Sequence, residues 1–290
     1  MTQANTIDPS PRNAAARNGM TAWRIRFVPV APAGAQALCQ FVDPKAAFAV
    51  AETLDPLALP PTAIWPEPVD QLDVLLIASP ADIDSADAAW LNPPDHIEAP
   101  MPVSVSMGPG QLSWRPGRAL VQGVLLRSET MAALAEFAFY ESELRRLEEA
   151  LPPYEASAIA DALSAYRISP AARDHWARFG ETMESLALLR LTFARLEPRL
   201  LTPSRRLPLT ARRLVRQLSR RAAIEDRLSA LNDRLEVCED LYEGAVDRIT
   251  DHRWYRKGNL LEMIIIALLL IEVMQLGGDM VMRWIHDYVH

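Results

Sequence analysis

A chain of 290 residues with half its side chains apolar can bury a real core and is too apolar to be disordered as a whole. Its two cysteines, Cys39 and Cys238, belong to no C-x-x-C pair or Cys/His cluster, which argues against a disulfide framework or zinc site and suits a reducing compartment. The net charge of -7 hides an asymmetry: residues 1–124 carry 7 basic and 12 acidic side chains, whereas Arg199 to Arg221 holds 8 arginines and no acid.

Residues 1–22 lack the apolar centre of a signal peptide. They read as a disordered leader, with an Arg- and Ala-containing targeting stretch as the alternative. Residues 23–127 read as a small α+β domain. Alternation marks strands at Trp23 to Val30, where Trp23, Ile25 and Phe27 share a face, and at Phe48 to Ala51. Further strands fall at Asp73 to Ala78, Val103 to Met107 and Ala119 to Leu126. Prolines from Pro56 to Pro68 and from Pro93 to Pro102 break any long helix between them. Gly108-Pro109-Gly110 is a turn and not a phosphate loop, because no lysine or helix start follows at the needed distance.

From Ser128 the pattern becomes helical, and residues 128–257 read as a helical bundle or coiled-coil stalk. Ser128 caps a helix with Glu129 in its first turn, and Pro152 and Pro153 end it. Ser169-Pro170 opens a second helix with Trp176, Phe179, Met183, Leu186, Leu189, Phe193 and Leu196 on one broad face. Residues 202–208 connect it to a third, longer helix. There Ile224, Leu228, Leu231, Leu235, Cys238, Tyr242, Ala245 and Ile249 recur at alternating steps of 4 and 3, the a/d seam of a coiled coil. An intramolecular hairpin with the preceding antiparallel helix is the first expectation; pairing between chains is the second.

Residues 259–282 read as one transmembrane helix, followed by a short tail, 283–290. Its 24 residues rise about 36 Å, enough for a hydrocarbon layer about 30 Å thick. Trp254 and Tyr255 lie on one flank, Trp284 and Tyr288 on the other, as in interfacial aromatic belts. Arg253, Arg256 and Lys257 precede the segment and only Arg283 follows it. The positive-inside rule then puts the N-terminal domain in the cytoplasm, with a bacterial inner membrane as the expected location. Glu262 and Glu272 oppose insertion, since a mid-membrane Asp costs about 2.5–3.5 kcal/mol and a neutralised Glu less. With Glu262 at zero on a helical wheel, Glu272 falls at about -80°, Asp279 at about -100° and Gln275 at about -140°. These polar groups form one stripe, which is expected to face protein through self-association. The competing reading is a soluble oligomer that buries the same apolar face.

No G-x-S-x-G, Walker A, dinucleotide fingerprint or H-E-x-x-H occurs, so no catalytic centre, cofactor, metal or small-molecule substrate is expected. His286 and His290 stand at i, i+4 but fit a frayed polar tail better than a metal pair. Glu141, Glu143, Glu148 and Glu149 beside Arg145 and Arg146 suit a solvated helix face. The sharper candidate is the basic patch of Arg205, Arg206, Arg212, Arg213, Arg216, Arg220 and Arg221, with Arg199 before it. Planar guanidinium forks suit phosphate, in anionic lipid headgroups or in ribosomal RNA. Aromatics are not interleaved with the patch, so single-strand stacking is not indicated. Charge balance against the acidic N-terminal domain is the alternative.

Three groups of residues carry a family resemblance: Leu134-Ala135 with Tyr140-Glu141, the run Leu231-Asn232-Asp233-Arg234-Leu235, and the end of the chain. That end reads Leu261-Glu262, Ile264-Ile265-Ile266, then Leu270-Ile271-Glu272-Val273. Over roughly residues 125–276 the chain resembles the "required for meiotic nuclear division" family, a domain of unknown function of bacteria and mitochondria. Members carry an early glycine-containing, aromatic and valine-rich strand; the nearest counterpart here is Phe48-Ala49-Val50-Ala51. The resemblance implies membrane association without known catalysis, and for mitochondrial members an inner-membrane role supporting translation.

The expected fold class is α+β: a small mixed N-terminal domain, a long antiparallel helical hairpin or coiled-coil stalk, and one C-terminal transmembrane helix. The expected function is a non-enzymatic, self-associating, membrane-anchored scaffold or tether. Its expected partners are membrane lipid, a second copy of the chain, and RNA or a ribosome at the arginines. A transport- or channel-like subunit is the alternative, although magnesium channels, which share a head, stalk and C-terminal spans, need two spans and a Gly-Met-Asn loop that this chain lacks.

Overall fold

The computed structural model describes residues 20–32, 37–56, 70–78, 90–91, 101–123, 127–166 and 173–289. Among them seven strands form one sheet: β1 (Met20–Val28), β2 (Ala37–Phe41), β3 (Ala47–Leu54), β4 (Gln71–Ile77), β5 (Val103–Met107), β6 (Gly110–Arg115) and β7 (Arg118–Gln122). Five helices accompany it: α1 (Arg127–Ala150), α2 (Pro152–Tyr166), α3 (Arg173–Leu201), α4 (Leu209–Arg221) and α5 (Ile224–Val289). The mixed α+β class is the expected one. Two compact units divide the chain, Met1–Pro152 with Ser185–Leu235, and Pro153–Glu184 with Glu236–His290.

In the first unit the strand order is β2-β3-β1-β4-β7-β6-β5, antiparallel throughout except for β4 beside β7. Alternation in β1 gives the sheet two dry faces. Ile25 and Phe27 are buried on one, and Ala22 is buried on the other with Leu75, Ile77, Leu120, Trp90 and Leu91. Arg24 stands opposite Asp73 in register, and its Nε and Nη2 donate to Oδ1 and Oδ2 at 2.7 and 3.1 Å. This bidentate pair keeps the buried Asp73 carboxylate compensated. Helix α1 lies against the first face. The Phe139 ring stacks on Phe41 at 4.0 Å and meets Phe27 edge-on at 5.5 Å, while Phe137 meets Trp114 edge-on at 4.7 Å. Each such ring contributes about 1.5–3 kcal/mol by leaving water.

The turn at Gly108-Pro109-Gly110 joins β5 to β6 as expected, with Gly108 at φ +59°. After β7, Gly123 has φ +79°, and a Cβ there would sit 2.8 Å from the Pro109 carbonyl oxygen, so only glycine fits. Other elements differ from the sequence expectation. Strands β2 and β6 and helix α2 were not foreseen. Pro152 and Pro153 open α2 instead of only ending α1, because the missing N–H of a proline falls where a first-turn N–H has no partner anyway. The long third helix is two helices. Ala222 N–H still bonds Leu218 O at 2.8 Å, but Ala223 turns left-handed at φ +49° and α5 starts afresh at Ile224. The Ser169-Pro170 start, residues 1–19 of the leader, and the prolines Pro60 to Pro68 and Pro93 to Pro100 lie outside the described residues.

The seam residues Ile224, Leu228, Leu231 and Leu235 in the first unit, and Cys238, Tyr242 and Ala245 in the second, are all buried by this chain itself. The side chain of Ile249 lies outside the described residues. In the second unit Tyr242 OH donates to Asp161 Oδ2 of α2 at 3.2 Å. Burial, followed by the Asp161 charge, raises the phenol to about 12.

The carboxylates expected on a solvated face of α1 are not all there: Glu141 and Glu143 are buried. Arg227 of α5 reaches both Glu141 Oε1 (3.1 Å) and Glu148 Oε2 (2.7 Å), and Arg145 adds a second cation beside Glu141 at 3.7 Å. Lys45 and Arg146 hold Glu143, and Arg146 also pairs with Asp70. Burial raises the Glu141 pKa, opposed by Arg145 and Arg227. Removing one member of such a buried pair leaves an uncompensated charge. Arg227→Met is therefore expected to cost about 3 kcal/mol, read as a lower urea midpoint of the detergent-solubilised chain. Adding Glu141→Gln should restore most of it; no recovery would mean that the stranded carboxylate is not the cause.

Candidate functional site

Three features of the described residues bear on function. The first is a cavity of about 390 Å3 in the first unit. Strand β2 contributes Cys39, Gln40 and Phe41. Helix α1 contributes Ala132, Glu136 and Tyr140, one stripe at steps of four, and the α3–α4 connection contributes Thr202, Ser204 and Arg206 beside Arg199 of α3. Glu136 is buried, and Ser204 N–H donates to its Oε1 at 2.7 Å. That bond fastens the connection to α1. Burial raises the Glu136 pKa, while the Ser204 N–H bond and the Arg199 charge lower it in part.

The neighbouring groups are held protonated. Cys39 Sγ–H points to Ala132 O at 3.7 Å, and burial, with the Glu136 charge, pushes the thiol up to about 12. Burial and the same charge raise the Tyr140 phenol to about 12. A thiol in that state is a poor nucleophile, because the thiolate is the reactive form. The cavity offers hydrogen bonds and a positive rim. Among the described residues no group of three or more His, Cys, Asp or Glu is placed to hold a metal ion.

The second feature is the arginine patch. Helix α4 buries Ala211, Leu214, Val215 and Leu218, one stripe against α1 and β5. The opposite side exposes Arg213, Arg216, Arg220 and Arg221, and Arg205 and Arg206 are exposed on the connection. Arg212 is half-buried, and its Nε is buried without a hydrogen-bond partner. Among the described residues only Arg199 of the series forms an ion pair, to Asp43 Oδ2 at 2.7 Å. Charge balance against the N-terminal domain is thus realised at one arginine, and the exposed ones are left to solvent or a partner.

The third feature is the end of α5. Gly258–Gln275, with mean hydropathy 1.8, is long and apolar enough to cross a membrane, and none of it is buried. Leu260, Ile265, Leu269 and Met274 are between 55 and 77 % exposed. Glu262, Glu272 and Gln275 of the polar stripe are exposed as well; the side chain of Asp279, and those of Trp284 and Tyr288, lie outside the described residues. Trp254 and Tyr255 at the near flank are exposed.

The cavity was not legible as a site in the sequence. Cys39, Glu136 and Ser204 come from distant segments, and only the spacing of Ala132, Glu136 and Tyr140 hints that those three share a face. The raised Glu136 pKa fixes a sign for pH. Its stabilising contribution is complete below the ordinary carboxyl value of 4.5 and is lost as pH rises through the higher folded-state value. Glu136→Gln keeps an oxygen for Ser204 N–H and removes the charge. The variant should gain in urea midpoint over the parent from acid to neutral pH, and an identical pH profile for the two would sink this reading.

No family model matches the chain, and no curated protein matches it.

Proposed function

We propose that this chain is a membrane-anchored, non-enzymatic tether, with α5 ending as a single transmembrane helix and the sheet unit held on the cytoplasmic side. The observation that carries it is the uncovered Gly258–Gln275 segment. Eighteen residues rise about 27 Å, close to the thickness of a bilayer interior. An apolar face of that length in water would be an aggregation hazard. Its aliphatic side chains point in all directions around the helix, which suits a lipid surrounding better than the single apolar face of a soluble amphipathic helix.

Glu262, Glu272 and Gln275 interrupt that apolar surface and support pairing with a second copy. The coiled-coil reading of the seam is part of the same proposal, as a hairpin within one chain. Exposed arginines on α4 support an anionic partner, of which RNA is the class with the most phosphates to offer. The resemblance of residues 125–276 to a membrane-associated family agrees with anchoring and adds no chemistry.

Alkaline carbonate extraction tests the anchor. The parent chain should stay in the membrane pellet. Ile265→Arg with Leu269→Arg adds about 5–7 kcal/mol to insertion at the helix centre and should move the protein to the soluble fraction. A parent chain that leaves with carbonate, or that runs as a discrete oligomer in buffer without detergent, would falsify anchoring and favour the soluble assembly.

A further inference from the structure

Beside the Glu136 cavity lies a second one of about 590 Å3, and its lining differs in kind. Arg195 and Arg199 face it from the end of α3, one turn apart, and Arg205 and Arg206 face it from the α3–α4 connection. Thr202 and Ser204 supply hydroxyls, and Asp43 is the one acid among its lining residues. Asp43 is engaged with Arg199 at 2.7 Å. Arg195, Arg205 and Arg206 have no acidic partner among the described residues and are exposed, so three guanidinium groups line one concavity with only solvent to offset their charge. Like charges one helical turn apart are destabilising, and a cluster around a cavity more so, unless an anion sits among them.

Cavity size and donor type narrow the anion. A volume of this order suits a small ligand or a headgroup and not a nucleic-acid backbone, which needs an extended surface. Planar forks grip phosphate bidentately, and hydroxyls add neutral donors. Ser204 Oγ accepts the Arg206 backbone N–H at 3.3 Å, so its own proton is free to donate. We propose that this cavity binds a terminal phosphate or diphosphate group. Three uncompensated cations match such a group, with about two to three negative charges at neutral pH, better than a singly charged carboxylate or phosphodiester. The carrier is either a free phosphorylated small molecule or a lipid with a terminal phosphate. The site does not depend on the membrane anchor, and it is separate from the arginines of α4.

Calorimetric titration of the full chain in phosphatidylcholine nanodiscs with inorganic pyrophosphate, at fixed ionic strength, tests the free source. Co-flotation of the chain held in phosphatidylcholine nanodiscs, its apolar helix thus already occupied, with phosphatidylcholine vesicles containing phosphatidic acid, against vesicles containing phosphatidylglycerol at the same mole fraction, tests the lipid source. Binding in either arm should fall about a hundredfold or more in Arg195→Gln/Arg205→Gln/Arg206→Gln. It should survive in Arg213→Gln/Arg216→Gln/Arg220→Gln, which removes the same charge from α4. If the first triple variant fails to fold, Arg205→Gln alone should lose about tenfold. Pyrophosphate binding assigns a free ligand, and a preference for phosphatidic acid without it assigns a lipid. Equal weakening by both triple variants means general electrostatics and overturns the proposal, as does a parent chain that binds no pyrophosphate and shows no vesicle preference.

Discussion

Three carboxylates on α1 lie out of water, and each is compensated by a different part of the chain. Glu136 accepts from the backbone of the α3–α4 connection, Glu141 faces Arg227 of α5 and Arg145, and Glu143 faces Lys45 after β2 and Arg146. A buried charge without a partner costs several kcal/mol, so these contacts leave the segments little freedom to sit elsewhere. Aromatic packing of Phe137 and Phe139 on the sheet fixes where α1 lies; the carboxylates fix what lies around it. Both cavities at the connection inherit their shape from this arrangement, since Ser204 lines each and is tied to Glu136.

The sheet was legible where an apolar pattern marks the strand, alternating in β1 and β5 and nearly unbroken in β4 and β7. In β1, β3, β4, β5 and β7 the pattern of apolar residues marks the strand, with ends off by a few residues. Strand β2 is five residues with a register irregularity between Ala37 and Cys39, too short and uneven to carry a period. Strand β6, GQLSWR, alternates, but with only Leu112 and Trp114 as large apolar residues, and its polar Ser113 and Arg115 are buried as well. Polar residues become buried there through tertiary contacts that no local window contains. The same reason hides the Glu141–Arg227 pair, whose members are 86 positions apart. The charge pattern on α1 looked like a wet surface because the partner that dries it lies on another helix.

The long apolar terminus was legible for the opposite reason. Its signal is a run of aliphatic side chains that needs no tertiary partner to be recognised, and the fold leaves that run uncovered. The arginine patch was legible as a composition, but its division was not. Sequence alone groups eight arginines together. Folding sends Arg213, Arg216 and Arg220 to the outer side of α4, and gathers Arg205 and Arg206 with Arg195 and Arg199 around a cavity.

The left-handed Ala223 carries one more implication. Alanine is the best helix former, and placing it at positive φ costs about 1–2 kcal/mol. The surroundings must hold it there, because nothing in the Ala222-Ala223 pair asks for a break. The joint resets rotational phase, so heptad counting in α5 begins at Ile224 without inheriting anything from α4. A residue gained or lost at this joint would leave every buried seam position downstream on its own side. The same change inside α5 would swing the remainder by about 100° and bring charged positions inward. Length is thus free to change at 222–223, and the spacing beyond it is not.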